Sequence, residues 1–376
     1  MKRISLCISL LLVLFMLGGQ AVWAARAKVA EIARDPYLSA LVVDADSGRV
    51  LIDDHAETPV YPASVLKMMD MLVILELVEQ GKVGLDEMVR VTREAAQMGG
   101  SQVYLDPKEQ FSVEELLYAL AVQSANDAAV ALAVHVAGST EGFVALMNKR
   151  AGELGMKDTR FHSVHGLPPS EGQQPDQTTA RDLSLLSLEL VKRPAIFDYT
   201  GTRERSFRDG KFVMRNHNHL LGMVHGCDGF KTGYFQAAGF SIVATAKRDG
   251  VRIIALVMGS KDRKVRDAKA AELLEKGFSL VPPKPVTASV VTTIPEPTPE
   301  QTTVTTSPEP EKDEALHVRP LEIQPGKERQ ETVAPSSGGW KMFFWGLVTG
   351  MVLSGMAATF ISRKQAGKHP KRRGYL

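Results

Sequence analysis

Strand-forming segments stand at both ends of one long stretch of this chain, and helical segments lie between them. The β-prone segments are residues 40–43, 49–52, 229–233, 240–246 and 251–258. Gly48 and Asp249-Gly250 fall between neighbouring segments and predict tight hairpin turns. Because strands so far apart in sequence must share one core, we predict an α+β fold. In it, the first hairpin completes a sheet built mainly by the C-terminal strands.

Apolar residues recur at helical spacing in the segments between these strands and after the last one. The predicted helices cover residues 64–80, 112–120, 128–136, 142–154, 180–191 and 265–276. Ser112 and Glu115 form a capping box at the start of the second helix. Gly81 and Gly277 stand where the first and last helices are expected to stop.

Two apolar segments near the ends of the chain predict export and membrane attachment. Residues 1–24 have the basic start, apolar run and small cleavage-site residues of a signal peptide. Residues 340–362 are long enough to cross a bilayer as one helix, and the basic tail 363–376 is expected on the cytoplasmic side. We therefore expect an exported, single-pass protein of the inner (cytoplasmic) membrane whose remaining residues lie outside the cytoplasm.

Residues 282–339 are rich in proline, threonine and glutamate and lack apolar periodicity, so we predict a disordered linker. A small β domain near residues 286–291 is the alternative. Residues 30–281 remain as the predicted folded domain. The predicted membrane helix carries a stripe of small residues, which allows a homodimer through that face, although small residues are common in membrane helices without one. Its members are Gly346, Gly350, Ser354 and Ala358. With 45 basic and 43 acidic residues, the chain gives no reason to expect nucleic-acid binding.

The start of the first predicted helix combines two reactive side chains. Ser64 lies in its first turn, where backbone N–H groups are unpaired and the helix dipole favours negative charge. Lys67 follows three residues later on the same face. A buried, neutral lysine there can take the serine proton and create a nucleophile. A helix cap followed by a solvated lysine is the alternative, and this spacing alone does not decide between them.

Two further polar clusters lie on elements that the same fold can bring together. Ser124 and Asn126 interrupt two apolar helices, either as site residues or as simple caps. Lys231-Thr232-Gly233 falls in a predicted strand, where glycine leaves room for an extended peptide and lysine supplies positive charge. A strand end that turns into a loop is the alternative. Together, in this order, the three clusters are much less expected by chance than any one of them.

Histidines and a cysteine near the third cluster suggest two other kinds of site, a metal site and a reactive thiol. His217, His219 and His225 lack an acidic or cysteine partner at ligand spacing, so we expect no metal site. Cys227 is the single cysteine left after removal of the signal peptide, which excludes an internal disulfide. A buried, inert thiol is preferred over a reactive one at this position.

These motifs resemble those of the serine D-alanyl-D-alanine carboxypeptidases, the low-molecular-weight penicillin-binding proteins. The resemblance covers about residues 36–278. It includes Val42-Val43-Asp44, Tyr61-Pro62-Ala63-Ser64, Leu154-Gly155-Met156, His165-Gly166-Leu167, residues 179–183 and Asp228-Gly229-Phe230. It implies the fold of serine β-lactamases and transpeptidases: a five-stranded antiparallel sheet with flanking helices and a helical subdomain.

The resemblance also implies an acyl-enzyme mechanism on peptidoglycan stem peptides that end in two D-alanines. Ser64 is the implied nucleophile, and Lys67 is its base, kept neutral by burial and by the nearby cation Lys231. Ser124 passes a proton to the leaving D-alanine. The implied substrate-binding residues are Asn126, Lys231, Thr232, Gly233, Tyr234 and Arg266. A surface ion pair is the alternative for Arg266. β-Lactams are implied covalent inhibitors, and no cofactor is needed.

Three sites depart from the family pattern, although none removes a catalytic group. Asp70 stands where the family usually has a hydroxyl residue, Val65-Leu66 replace small or hydroxyl-bearing residues, and Ala125 replaces a common glycine. The family's second, β-rich domain has no convincing counterpart. The same motifs serve D,D-endopeptidases and β-lactamases, and a non-catalytic peptidoglycan-binding protein is the remaining alternative.

Overall fold

The computed structural model describes residues 29–282. Its strands, β1 to β9, are Ser39–Asp44, Val50–Asp54, Met88–Arg90, Gln110–Ser112, Glu204–Phe207, Phe212–Arg215, Cys227–Phe235, Gly239–Arg248 and Val251–Ser260. Its α-helices, α1 to α8, are Lys67–Glu79, Arg93–Ala96, Val113–Tyr118, Asn126–Ala137, Thr140–Glu153, Ala180–Leu190, Ile196–Thr200 and Arg263–Leu280. The predicted signal peptide, membrane helix and basic tail, and the linker beyond residue 282, lie outside the described residues.

Five strands form one antiparallel sheet in the order β2-β1-β9-β8-β7. β1 pairs with β2 on one side and with β9 on the other, where Val42 lies opposite Ala255. The predicted completion of the C-terminal sheet by the first hairpin is therefore confirmed. Asp249 and Gly250, with φ of 46° and 78°, form the two-residue turn between β8 and β9. Positive φ at both positions matches the twist of the paired strands.

Side chains alternate between the two faces of this sheet, and both faces are buried. Leu41 and Val43 point into the larger core, together with most of the apolar helical side chains. Ala40 and Val42 point the other way, into a smaller core that is covered by α8. The central strand β9 is therefore buried along its whole length. β7 is at one edge of the sheet, and the turn that precedes α1 packs against it.

The helices between β2 and β5 form the helical part of the fold, which agrees with the predicted helical subdomain. Two small sheets, β3 with β4 and β5 with β6, were missed by the sequence prediction. Among residues 29–282, no single helix is long and apolar enough to cross a membrane. α4 and α5 meet that criterion only as a pair, which is bent by 84° at the break between them.

The two glycines predicted to end helices have different roles. Gly81 follows the end of α1 at Glu79 and has a φ of 66°, as expected for a helix stop. Gly277 instead lies inside α8, which continues to Leu280, so that prediction is wrong. A Cβ at this position would lie 2.5 Å from Ile253 Cγ2. Glycine here allows the helix to approach the sheet closely.

Candidate active site

The predicted nucleophile lies in a tight turn just before α1. Residues Ala63–Leu66 form a 3₁₀ turn, and the α-helix begins at Lys67 rather than at Ser64. Ala63 has a φ of 47°, in the left-handed region. Gly166 packs directly on this turn, since a Cβ there would lie 2.2 Å from the carbonyl oxygen of Ala63. The turn is thus supported from outside, and Ser64 remains partly exposed.

Lys67 is completely buried behind this serine. Its Nζ lies 3.0 Å from Ser64 Oγ, 2.7 Å from Asn126 Oδ1 and 3.0 Å from the carbonyl oxygen of His165. Asn126 Nδ2 donates to the carbonyl oxygen of Gly99, which keeps the amide oxygen turned toward Lys67. The predicted pairing of Ser64 with Lys67 is therefore present, and Asn126 orients the lysine.

The surroundings of Lys67 favour a neutral amine. Burial lowers the pKa of Lys67 to about 7, against the opposing influence of three acidic side chains. A neutral amine has two N–H donors and one lone pair. The oxygens of Asn126 and His165 can accept both donors, which leaves the lone pair for the hydroxyl proton of Ser64. This arrangement presents a base to the serine.

Ser124 meets the second lysine on the helical side of the site. It follows a π-helical turn, Ala119–Gln123, and has a φ of 58°. Few residues other than glycine adopt this backbone conformation, and such strain concentrates at functional sites. Lys231 Nζ donates to Ser124 Oγ at 2.9 Å and to the carbonyl oxygen of Thr232 at 3.0 Å. The strained turn therefore holds the hydroxyl of Ser124 against the amino group of a buried lysine.

Lys231 is buried on β7, the predicted strand. Its pKa is lowered well below its usual range, first by burial and then by the positive charges of Lys67 and Arg266. The family resemblance implies that Lys231 helps to keep Lys67 neutral. Burial is the leading cause of the lowered pKa of Lys67. The repulsion between the two lysines lowers the pKa of Lys231 instead.

Gly233 leaves room for a neighbour other than the expected one. A Cβ at this position would lie 2.6 Å from the carbonyl oxygen of Pro62 and 3.0 Å from the backbone nitrogen of Val65. The missing side chain thus admits the turn that carries Ser64, rather than only a bound peptide. β7 is an edge strand, so pairing with an extended peptide stays a prediction that this topology allows.

These elements surround a cleft of about 350 Å³. The predicted residues that line it are Ser64, Ser124, Asn126, Thr232, Gly233, Tyr234 and Arg266. The two lysines lie buried behind its wall. Arg266 is not the surface ion pair considered above, because it is buried and its Nε donates to Asp267 Oδ1 at 2.9 Å. The Tyr234 side chain is exposed at the rim.

Sequence reasoning missed several lining residues: Gly100, Ser101, Gly166, Leu167, His217, His219, Phe240 and Arg263. The one signal for two of them, Gly166 and Leu167, was the family resemblance at residues 165–167. Burial and the surrounding cations lower the pKa of His217 to about 4, so this ring is neutral at pH 7. Residues 29–282 bring together no group of three or more His, Cys, Asp or Glu side chains that could hold a metal ion.

Cys227 is the first residue of β7 but does not line the cleft. It is half-buried, with Sγ 3.7 Å from the carbonyl oxygen of Gly229. Burial raises the pKa of its thiol to about 11, so the reactive thiolate is scarce at neutral pH. This agrees with the predicted inert cysteine.

The arrangement of two lysines, two serines and an asparagine around one cleft has a match among known families. Residues 26–262 fit the family model described as D-alanyl-D-alanine carboxypeptidase. The chain belongs to this family. The family resemblance found in the sequence is therefore confirmed.

Individual members of the carboxypeptidase family support the assignment. DacF of Bacillus subtilis (strain 168), a D-alanyl-D-alanine carboxypeptidase, is 40% identical over 244 residues, or 64% of this chain and 62% of the relative. DacC of Escherichia coli (strain K12), another such carboxypeptidase, is 37% identical over 245 residues, or 63% and 60%. This chain thus spans about three fifths of the length of these curated relatives.

A solved structure has the same fold. The ampicillin-bound form of penicillin-binding protein D2 from Listeria monocytogenes matches with a TM-score of 0.59 and 29% identity. The match covers 67% of this chain and 100% of that chain. The predicted α+β, transpeptidase-like fold with its five-stranded antiparallel sheet is confirmed.

Proposed function

We propose that this protein is a serine D,D-carboxypeptidase that removes the terminal D-alanine from peptidoglycan stem pentapeptides. One observation carries the proposal: the Nζ of fully buried Lys67 lies 3.0 Å from Oγ of partly exposed Ser64. A nucleophile within hydrogen-bond distance of a base, itself oriented by further groups, is the arrangement that acyl transfer requires. Membership of the carboxypeptidase family supports the same activity.

In the acylation step, Ser64 Oγ attacks the carbonyl carbon between the two D-alanines while its proton passes to Lys67 Nζ. Lys67 need not rearrange, because Asn126 Oδ1 and the carbonyl oxygen of His165 accept its N–H groups before and after the transfer. By analogy with the family, the backbone N–H groups of Ser64 and Tyr234 stabilise the oxyanion.

Collapse of the tetrahedral intermediate breaks the bond to the leaving D-alanine, whose nitrogen needs a proton. Ser124 Oγ accepts a hydrogen bond from Lys231 Nζ, so its own proton is free to face the leaving group. Ser124 gives its proton to this nitrogen and is reprotonated with the proton that Lys67 took from Ser64. Water then attacks the ester carbonyl of the acyl-enzyme while neutral Lys67 accepts its proton. Collapse of this second intermediate breaks the bond to Ser64 Oγ, which takes the proton back from Lys67.

Donors in the wall of the cleft support recognition of the terminal carboxylate. Thr232 and Arg266 line the cleft and Lys231 lies buried behind them, so a substrate carboxylate can accept hydrogen bonds from the Thr232 hydroxyl and the Arg266 guanidinium. The ampicillin-bound relative also supports covalent inhibition of this chain by β-lactams at Ser64. D,D-endopeptidase and β-lactamase activities use the same groups, and no feature of this cleft favours either.

We further propose that the protein is exported and held in the cytoplasmic membrane by residues 340–362, with residues 30–281 as the catalytic domain outside the cytoplasm. The support is the sequence pattern at both ends of the chain. A linker at residues 282–339 would give the domain reach into the cell wall.

The test combines a substrate assay with a labelling assay. The full-length protein should release free D-alanine from a pentapeptide that ends in D-Ala-D-Ala, and labelled penicillin should map to Ser64. Ser64→Ala should abolish labelling, whereas Ser101→Ala, at a cleft serine of no proposed chemical role, should still be labelled at Ser64.

Other outcomes of this test would replace the proposal. Rapid turnover of penicillin would indicate a β-lactamase, and cleavage of cross-linked peptides in preference to the pentapeptide would indicate an endopeptidase. Labelling of a residue other than Ser64 would contradict the assigned nucleophile, and neither label nor D-alanine release would indicate a non-catalytic binding protein.

A further inference from the structure

Asp70 is a buried carboxyl group without a hydrogen-bond partner. Its side chain is 2% exposed, and neither carboxyl oxygen meets a donor within residues 29–282. Asp70 follows Lys67 by three residues, just as Lys67 follows Ser64, so the side chains succeed one another along one face. Buried polar groups are nearly always paired. An unpaired acid next to the proposed base therefore points to a role in proton chemistry.

The charged and titratable groups that face Asp70 come from three elements. Lys67 lies on its own helix, Lys231 lies on β7, and Asp176 lies in the segment between α5 and α6. The two lysines favour the ionised carboxylate, whereas burial and Asp176 favour the protonated acid. Burial is the larger effect and holds the pKa of Asp70 well above its usual range, toward that of Lys67.

Asp70 in turn affects the pKa of Lys67. Among the acidic side chains that raise the pKa of Lys67, Asp70 has the largest effect, ahead of Asp127 and Asp176. The other two carboxylates are engaged elsewhere. Asp127 accepts backbone N–H groups of residues 103 and 105, and Asp176 accepts the hydroxyl of Ser163 at 2.6 Å. Asp70 is the one of the three that has no such partner.

We propose that Asp70 is a positioning residue for the proposed reaction: in its ionised form its carboxylate holds a proton on Lys67, which keeps Lys67 from acting as a base. This inference rests on the proposed role of Lys67. The pair with zero net charge has two forms, an ammonium with a carboxylate or an amine with a carboxylic acid. Only the amine accepts the proton of Ser64, so the ion-pair form is acylated slowly.

The experiment measures the rate of acylation by labelled penicillin between pH 5 and pH 9 on the full-length protein. Asp70→Asn keeps the shape of the side chain and removes its charge. The midpoint of the acid limb should move down by about one pH unit or more, the usual effect of a close opposite charge. One unit below the wild-type midpoint, the variant should then be acylated about fivefold faster than the wild type.

Glu79→Gln is the matched control, since it removes the same charge from an exposed position of the same helix. Its midpoint should stay at the wild-type value. Asp70→Ser is a second uncharged variant, whose smaller side chain can bond a carbonyl of its own helix. It should move the midpoint as Asp70→Asn does, and thermal unfolding of both variants checks that they fold.

The outcomes separate this inference from the proposed function. Absence of label at Ser64 in the wild type would overturn the proposed function. Labelling of Ser64 with the same midpoint in the wild type and in either folded variant would overturn the role of Asp70 and leave the proposed function intact. A rate lowered equally at every pH would also overturn it, since that result marks a merely structural residue.

Discussion

Replacement of Lys67 by arginine tests the base directly, because it keeps a cation at the site but prevents its deprotonation. With a pKa of about 7, roughly half of the Lys67 side chains are neutral at pH 7. A guanidinium has a pKa above about 12, so its neutral fraction at pH 7 is about 10⁻⁵. General-base catalysis contributes about 10² to 10⁴ in rate, which limits the loss that can be observed. We therefore expect Lys67→Arg to acylate about 10² to 10⁴ times more slowly than the wild type.

The assay is the rate of formation of the penicillin adduct, measured from pH 5 to pH 9. In the wild type, the rate should rise about tenfold per pH unit below pH 7 and level off above it, because Lys67 is lowered to a pKa of about 7. Lys67→Arg should be slow throughout this range.

Lys231→Arg is the control, since its proposed roles depend on positive charge rather than on proton acceptance. It should retain more acylation activity than Lys67→Arg. Equal residual rates in the two folded variants would refute the distinct roles of the lysines. A wild-type rate that does not change between pH 5 and pH 9 would refute the base role itself.

Two further predictions concern the support of Ser64 and the attachment to the membrane. Gly166→Ala should slow acylation at least about tenfold, because the new Cβ would clash with the carbonyl of Ala63. Gly172→Ala has a similarly positive φ but no atom within 4 Å of the new Cβ, so equal rates in the two variants would argue against displacement of the turn. A chain that ends at Lys284 should be exported, soluble and active on a small peptide, whereas the full-length protein should stay in the membrane fraction through carbonate extraction. An unfolded truncated chain would place part of the predicted linker in the fold.

Much of the fold follows from local sequence patterns. The strand pairs around Gly48 and Asp249-Gly250 were predictable because turn residues with positive φ mark hairpins. The capping box of Ser112 with Glu115 is also present as predicted. Gly277 shows the limit of such reasoning, since the close approach of α8 to Ile253 depends on a sheet formed elsewhere in the chain.

The candidate site, too, was predictable in part from the sequence and was decided in part by the tertiary structure. Helical spacing by itself brings Lys67 next to Ser64, because residues three apart share a face whatever the rest of the chain does. The chemical state of that lysine was decided only by the tertiary structure. Asn126 and His165, which are 59 and 98 residues away, supply its other hydrogen-bond partners. Burial by distant segments lowers its pKa, and desolvation is a property of the assembled core that a local sequence pattern does not contain.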